Sequence, residues 1–287
     1  MFEGTWLDQI VINPKTHNMV RVRSLPAIEK AKYRPEVNLF DLAERGLKSI
    51  VKRPKVATSK NKDGKTPLHI LAASNNNSNS FWSSIRVREI LSHSMVAKVK
   101  DNDGNTPLHL LAARRHKDVL NHPKVATIRD KNGNTALHIL AKAGVTDVLN
   151  HPKSATIKDK DGNTCLHILA GLGLKKILKH SKSYIVKDNN GNTPFHILAK
   201  LGVKKVLSSS KNHLIKDKNG NTPLHVLAGL GIKEVVKNRK AIKVKNNDGN
   251  TPLHILAGLG IKEVLQHRKV SKVKNNIGDT PLDIYKK

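Results

Sequence analysis

Histidine and lysine are the residues whose number and spacing in this sequence suit chemistry. The chain has fifteen histidines, and three roles compete for them: metal ligand, acid–base catalyst and structural hydrogen-bonding group. Seven of them, His69, His109, His138, His167, His196, His225 and His254, recur with the same neighbours, 40 residues apart once and 29 apart thereafter. Structural units repeated at that period stack about 10 Å apart, whereas zinc ligands lie about 2 Å from the ion, so this column cannot share a metal. A second column, His93, His122, His151 and His180, falls at the end of a short helix, where imidazole suits exposed carbonyls and the helix dipole. No Ser, Cys, Asp or Glu stands outside the pattern with a base and an orienting partner. The one cysteine, Cys165, occupies a column held mostly by proline and reads as a packing variant. Gly-Leu-Gly at 171–173 lacks the Lys-Ser/Thr of a phosphate loop. No enzyme activity, metal, cofactor or small-molecule substrate is expected.

The other available chemistry is the binding of anions. Lys and Arg number 52 against 22 acids, a formal charge of +30, and the excess follows the repeat. Four residues before a recurring glycine stand Lys60, Lys100, Arg129, Lys158, Lys187, Lys216, Lys245 and Lys274, and Lys131, Lys160 and Lys218 lie two residues further on. Asn102, Asn189 and Asn247 share that second position, and Lys and Asn both suit phosphate and sugar oxygens. Two more basic columns, Lys55, Lys124, Lys153, Lys182, Lys211, Lys240 and Lys269, and Lys48, Arg88, Lys117, Lys175, Lys204, Lys233 and Lys262, spread the field beyond one face.

Positioning these columns falls to a repeating element. The block D-x-x-G-N-T-P-L-H-I-L-A carries its glycine at Gly64, Gly104, Gly133, Gly162, Gly191, Gly220, Gly249 and Gly278, a period that signals a stacked array. In the Gly162 unit, Asp159 to Gly162 is turn chemistry and Thr164 is a helix N-cap. Leu166, Leu169, Ala170 and Gly173 line one apolar face. That first helix stops at the Gly171/Gly173 pair, and a second short helix over 174–179 turns Ile177 and Leu178 inward. Such a unit buries its apolar face only against stacked neighbours.

Thr-Pro-Leu-His at Thr66, Thr106, Thr222 and Thr251, with single variants at Ala136, Cys165 and Phe195, resembles the motif of the ankyrin repeat family, over residue 35 to the C-terminus. The resemblance implies an all-α repeat solenoid of helix-turn-helix units with short β-hairpin fingers. It also implies that the motif histidine bridges the finger to the neighbouring unit, and that the column from Lys60 to Lys274 sits at the finger tips as a basic ridge. At about 10 Å per unit the ridge runs roughly 70 Å, facing about two turns of duplex, which presents a charge every ~1.7 Å. Leu172, Leu201, Leu230 and Leu259, beside Gly171, Lys200, Gly229 and Gly258, would line the inner face, with few groups able to read base edges. Units of this family usually run about 33 residues, so here about one helical turn is missing, placed by alignment in the second helix.

The expected organisation is a capping segment over 1–34, with a strand in Met19 to Arg23, and a solenoid over 35–287. Within the solenoid, 35–63 is a degenerate first repeat, 64–103 a repeat with an insertion at 74–84, 104–277 six 29-residue repeats, and 278–287 a truncated cap with Asp283 in place of the histidine. In the insertion, Phe81 and Trp82 either fold back on the solenoid flank or form an exposed tip for docking a partner. No signal-peptide pattern opens the sequence, no apolar run reaches bilayer length, and a single cysteine fits a reducing compartment, so a cytoplasmic, monomeric protein is expected. Aromatic residues make up 3% of the chain, too few for the stacking platforms of single-strand binders. The expected function is a non-catalytic scaffold whose basic finger ridge binds a polyanion, foremost the backbone of duplex nucleic acid with little sequence specificity. The alternative is a protein-interaction scaffold recognising an acidic protein, and an anionic membrane surface would use the same lysines.

Overall fold

The computed structural model describes residues 10–12, 19–21, 39–44, 51–52, 56, 58–74, 87–209, 215–238, 243–266 and 272–287. Near the N-terminus, Ile10–Ile12 and Met19–Arg21 pair as an antiparallel hairpin with Val11 opposite Val20, which places a strand where the alternation at Met19 predicts one. The packing expected of segment 1–34, and the aromatics Phe81 and Trp82, lie outside the described residues.

From residue 39 onward, short helices stack in chain order. Each first helix contacts the next, from Leu39–Glu44 through Pro67–Ala73, Pro107–Ala113, Ala136–Lys142, Cys165–Gly171, Pro194–Lys200, Pro223–Gly229 and Pro252–Gly258 to Pro281–Lys286. From Pro67 onward these helices start after a threonine, with proline next except at Ala136 and Cys165. Thr193 is extended at φ −95°, ψ 165° with Pro194 next, and proline is pre-set for the first helical turn, where its missing N–H costs nothing. After seven residues the chain reverses through a left-handed glycine, Gly173 at φ +72° in the Cys165–Gly171 unit.

The second short helix forms where it is expected and is of the tighter 3-10 kind. Lys175–Lys179 is 3-10, closed by the His180 N–H donating to the Ile177 carbonyl at 2.9 Å. Five residues leave space for at most one α-helical bond, whereas three-residue spacing satisfies the donors sooner. That is how the unit absorbs its missing turn.

The fingers differ in degree from hairpins. In the Gly162 unit, Asp159 N–H donates to Asn163 O (2.9 Å) and Gly162 N–H to Asp159 O (3.2 Å), and no strand forms in the fingers among the described residues. In this unit the carbonyl of the next rung, Ile157 O, accepts from His138 Nε2 at 3.1 Å, and in the units with Pro194, Pro223 and Pro252 the opposing N–H is missing, so pairing stops after the turn.

The core is a continuous seam between units. Leu166, Leu169 and Ala170 are fully buried, and so are Val119, Val148, Ile177, Val206, Val235 and Val264, one from each 3-10 helix. Burying each such leucine, isoleucine or valine stabilises by about 1.5–3 kcal/mol, and each 3-10 helix contacts the first helix of the next unit, so the stack stands or falls through its neighbours.

Candidate macromolecule-binding surface

Each finger is a turn held by its own aspartate or, at Asn61, Asn246 and Asn275, by an asparagine. Asp159 Oδ1 accepts from the Asp161 and Asn163 N–H groups at 3.0 and 2.8 Å, and Gly162 takes φ +79°. The next finger lies so close that a Cβ on Gly162 would come within 2.3 Å of Asn189 Oδ1 and 2.6 Å of the Asn189 nitrogen. Fingers are joined by backbone bonds such as Asn189 N–H to Asp161 O at 3.1 Å. The asparagines next to the cations add to this stitching: Asn102, Asn189 and Asn247 donate from Nδ2 to the carbonyls of Lys62, Lys160 and Lys218. These amides serve the preceding finger rather than solvent.

The finger cations form a row, and half of it is spent internally. Lys60 Nζ donates to the Lys100 carbonyl and Lys100 Nζ to the Arg129 carbonyl, both at 2.8 Å. Arg129 donates to the Lys158 carbonyl, and Lys245 Nζ to that of Lys274 at 2.7 Å. Each cation thus caps the carbonyl of the next residue in its own column. Lys131, Lys158, Lys160, Lys187, Lys216, Lys218 and Lys274 are exposed, with no side-chain hydrogen bond or ion pair among the described residues. Their charge is diluted, because the eight six-residue fingers hold thirteen basic and ten acidic side chains, leaving three of the thirty net positive charges there.

The remaining net charge lies outside the fingers, much of it in the segments that carry the 3-10 helices, the 3-10 flank. There Lys117 pairs with Asp147, Lys204 with Glu234 (2.6 Å) and Lys233 with Glu263 (3.1 Å). The bond from Lys204 holds the Glu234 carboxyl below its usual range, and Lys233 does the same for Glu263. Capping the C-terminal ends of the first helices, Leu172, Leu201, Leu230 and Leu259 make a row 51–53% exposed, beside exposed Gly171, Lys200, Gly229 and Gly258.

The motif histidines are buried struts. Thr164 N–H donates to His167 Nδ1 at 3.1 Å, with the Thr164 hydroxyl at 2.9 Å. A backbone N–H can only donate, so Nδ1 is bare and the proton sits on Nε2, which donates to the Asn192 carbonyl of the next finger at 3.1 Å. The same bridge runs from His69 to Asn105, His109 to Asn134, His138 to Asn163, His196 to Asn221, His225 to Asn250 and His254 to Asp279. Burial lowers the pKa of all seven, to about 4 for His225. In the Gly278 unit Asp283 takes the place of the histidine and accepts from the Thr280 N–H and hydroxyl.

The second histidine column is placed differently from its expectation. His122, His151 and His180 accept at Nδ1 from the N–H two residues on, in Lys124, Lys153 and Lys182. Each is extended, His122 at ψ 129°, so its ring faces the following turn rather than the helix carbonyls. Burial pushes the Cys165 thiol up to about 12, which leaves it unionised at neutral pH and inert as a nucleophile. No group of three or more His, Cys, Asp or Glu able to hold a metal occurs among the described residues, and no helix there is long and apolar enough to cross a membrane.

Turn, Thr-Pro-initiated helix, left-handed glycine, short second helix and a histidine strut to the next finger define the ankyrin class of solenoid. A family model described as ankyrin repeats (3 copies) matches residues 39–122, and the Thr-Pro-Leu-His pattern of that stretch recurs, with single variants, as far as Thr251. Its fold is similar to the crystal structure of the ankyrin repeat domain of Bcl-3, a member of the IkappaB protein family, with 20% identity and a TM-score of 0.52 over 63% of this chain and 94% of that one. No curated protein matches the chain. Ankyrin repeats are in general non-catalytic binding scaffolds.

Proposed function

We propose that this solenoid binds a polyanion, foremost the phosphate backbone of duplex nucleic acid, as a monomer and with little sequence specificity. The observation that carries this reading is the charge: +30 on 287 residues, mounted on a regular stack, with four ion pairs formed among the described residues. In the finger row, Lys131, Lys158, Lys160, Lys187, Lys216, Lys218 and Lys274 are the cations left available for phosphate. The others of the proposed set, Lys60, Lys100, Arg129 and Lys245, are each bonded to a carbonyl of the next finger.

A second reading, a scaffold for an acidic protein, draws on the exposed row Leu172, Leu201, Leu230 and Leu259. Duplex DNA has no use for such a row, whereas a protein partner buries apolar side chains at the centre of its interface.

Fluorescence anisotropy of a labelled 20-base-pair duplex over a salt series separates the two. Sub-micromolar affinity with a log-log slope of about −5 or steeper means that five or six phosphates are neutralised. Absence of binding at about 0.15 M salt would transfer the function to a protein partner. Replacing Lys158, Lys187, Lys216 and Lys245 with Gln should leave the melting temperature nearly unchanged and make the slope shallower by about 3. An unaltered slope would remove the fingers from the contact surface.

A further inference from the structure

Repeat geometry sets the first residue of one 3-10 helix against the second residue of the next, thirty positions on. Three such positions hold the ion pairs Lys117–Asp147, Lys204–Glu234 and Lys233–Glu263. In mid-stack the pattern inverts. Lys205 stands relative to Lys175 as Glu234 stands relative to Lys204, and Lys176 stands so relative to Thr146. Two lysines therefore meet where neighbouring units hold a lysine and a carboxylate.

The surroundings deepen the positive field. A 3-10 helix has three residues per turn, so Lys176 and Lys179 are eclipsed on one outward side while Ile177 points into the core. Lys175, Lys176, Lys179, Lys182 and Lys205 are all exposed, and none has a side-chain hydrogen bond or ion pair among the described residues. Segments 172–186, 201–215, 230–244 and 259–273 together carry sixteen basic residues against two acidic ones. Both acids are Glu234 and Glu263, already paired within the stack. The four fingers alternating with these segments carry five basic residues against four acidic ones.

We infer that this flank, centred on Lys175, Lys176, Lys179 and Lys205, is a phosphate-binding face distinct from the fingers, where backbone phosphates of a duplex supply the counter-charge missing between the two lysines. The inference rests on the reading of the ligand as duplex nucleic acid. Residues 175–182 present lysine, serine and half-buried histidine outward with no exposed aromatic, a composition suited to a charged rod rather than to insertion into a bilayer interface.

The test compares wild type, K176E/K205E and K176Q/K205Q on the labelled 20-base-pair duplex over the salt series, with melting recorded for each. Expected for the charge reversal is a loss of affinity of about tenfold or more near 0.15 M salt and a slope shallower by about 2. Melting should hold or rise, because K205E sets a carboxylate beside Lys175 as Glu234 stands beside Lys204. The Gln pair should lose less affinity, in the same direction. Wild-type duplex binding that survives K176E/K205E with unchanged slope overturns this face and leaves the polyanion reading intact. Failure of wild type itself to bind duplex removes both. Loss of binding to vesicles of mixed phosphatidylserine and phosphatidylcholine, with duplex binding kept, would assign the face to lipid and overturn the nucleic-acid assignment.

Discussion

At the scale of single residues, finger glycine is the most constrained position. Gly162 combines a left-handed backbone with a neighbouring finger that fills the space of a Cβ, and the nearest obstacles include the Asn189 backbone nitrogen, which cannot swing aside. Gly162→Ala therefore carries the left-handed cost of about 1–2 kcal/mol together with displacement of the adjacent finger. A denaturant titration should show a loss of about 2 kcal/mol or more. A loss below about 0.5 kcal/mol would mean that the fingers separate freely. The finger aspartates can be read from sequence as turn residues, and they are. The asparagines suggest phosphate donors in sequence, yet Asn189 spends its amide on the Lys160 carbonyl, a partner 29 residues away that only stacking brings near.

At the scale of the element, the helix-to-helix turn shows what happens when the repeat is broken. Gly144, Gly173, Gly202, Gly231 and Gly260 occupy the left-handed position, and in the Gly104 unit the same place is held by Arg115 at φ +62°. A side chain there is disfavoured by about 1–2 kcal/mol. Arg115 is exposed, and its side chain has no hydrogen bond or ion pair among the described residues to offset the cost. Arg115→Gly should raise stability by about 0.5–1 kcal/mol, read as a higher denaturation midpoint at unchanged slope. A lower midpoint would reveal a contact of the arginine that outweighs its backbone. The 3-10 character of the second helix was not legible in the residues, whose Ile177 and Leu178 suit either helix. Its brevity decides between them.

At the scale of the whole molecule, the seven buried histidines couple neighbouring units and make the stack sensitive to acid. Unfolded, each takes up a proton near pH 6.5, whereas in the fold burial delays uptake, to about pH 4 for His225. Between those values the unfolded chain binds more protons. For His225 that stability is thus fully present above about pH 7 and is lost as pH falls below 6.5 toward 4, by up to about 1.4 kcal/mol per pH unit, and burial acts in the same direction on the other six. The melting temperature should be level from about pH 7.5 to 8.5 and drop progressively from about pH 6.5 to 5. A flat profile through that range would show that the struts tolerate the charge.

By itself the sequence determined the period, the Thr-Pro helix starts, the buried leucine columns and the class of fold, because each depends on local preference copied from unit to unit. It also determined the sign and size of the net charge. Tertiary structure alone decided where that charge acts. Lys60 and Lys187 occupy one column in the sequence, but Lys60 caps the Lys100 carbonyl, while Lys187 has no side-chain partner among the described residues. Lys204 and Lys175 likewise share a column, yet Lys204 meets a glutamate and Lys175 stands opposite a lysine. The physical reason is distance. A Coulomb interaction is settled by separations of a few ångströms in space, and stacking converts residues 29 or 30 apart along the chain into neighbours.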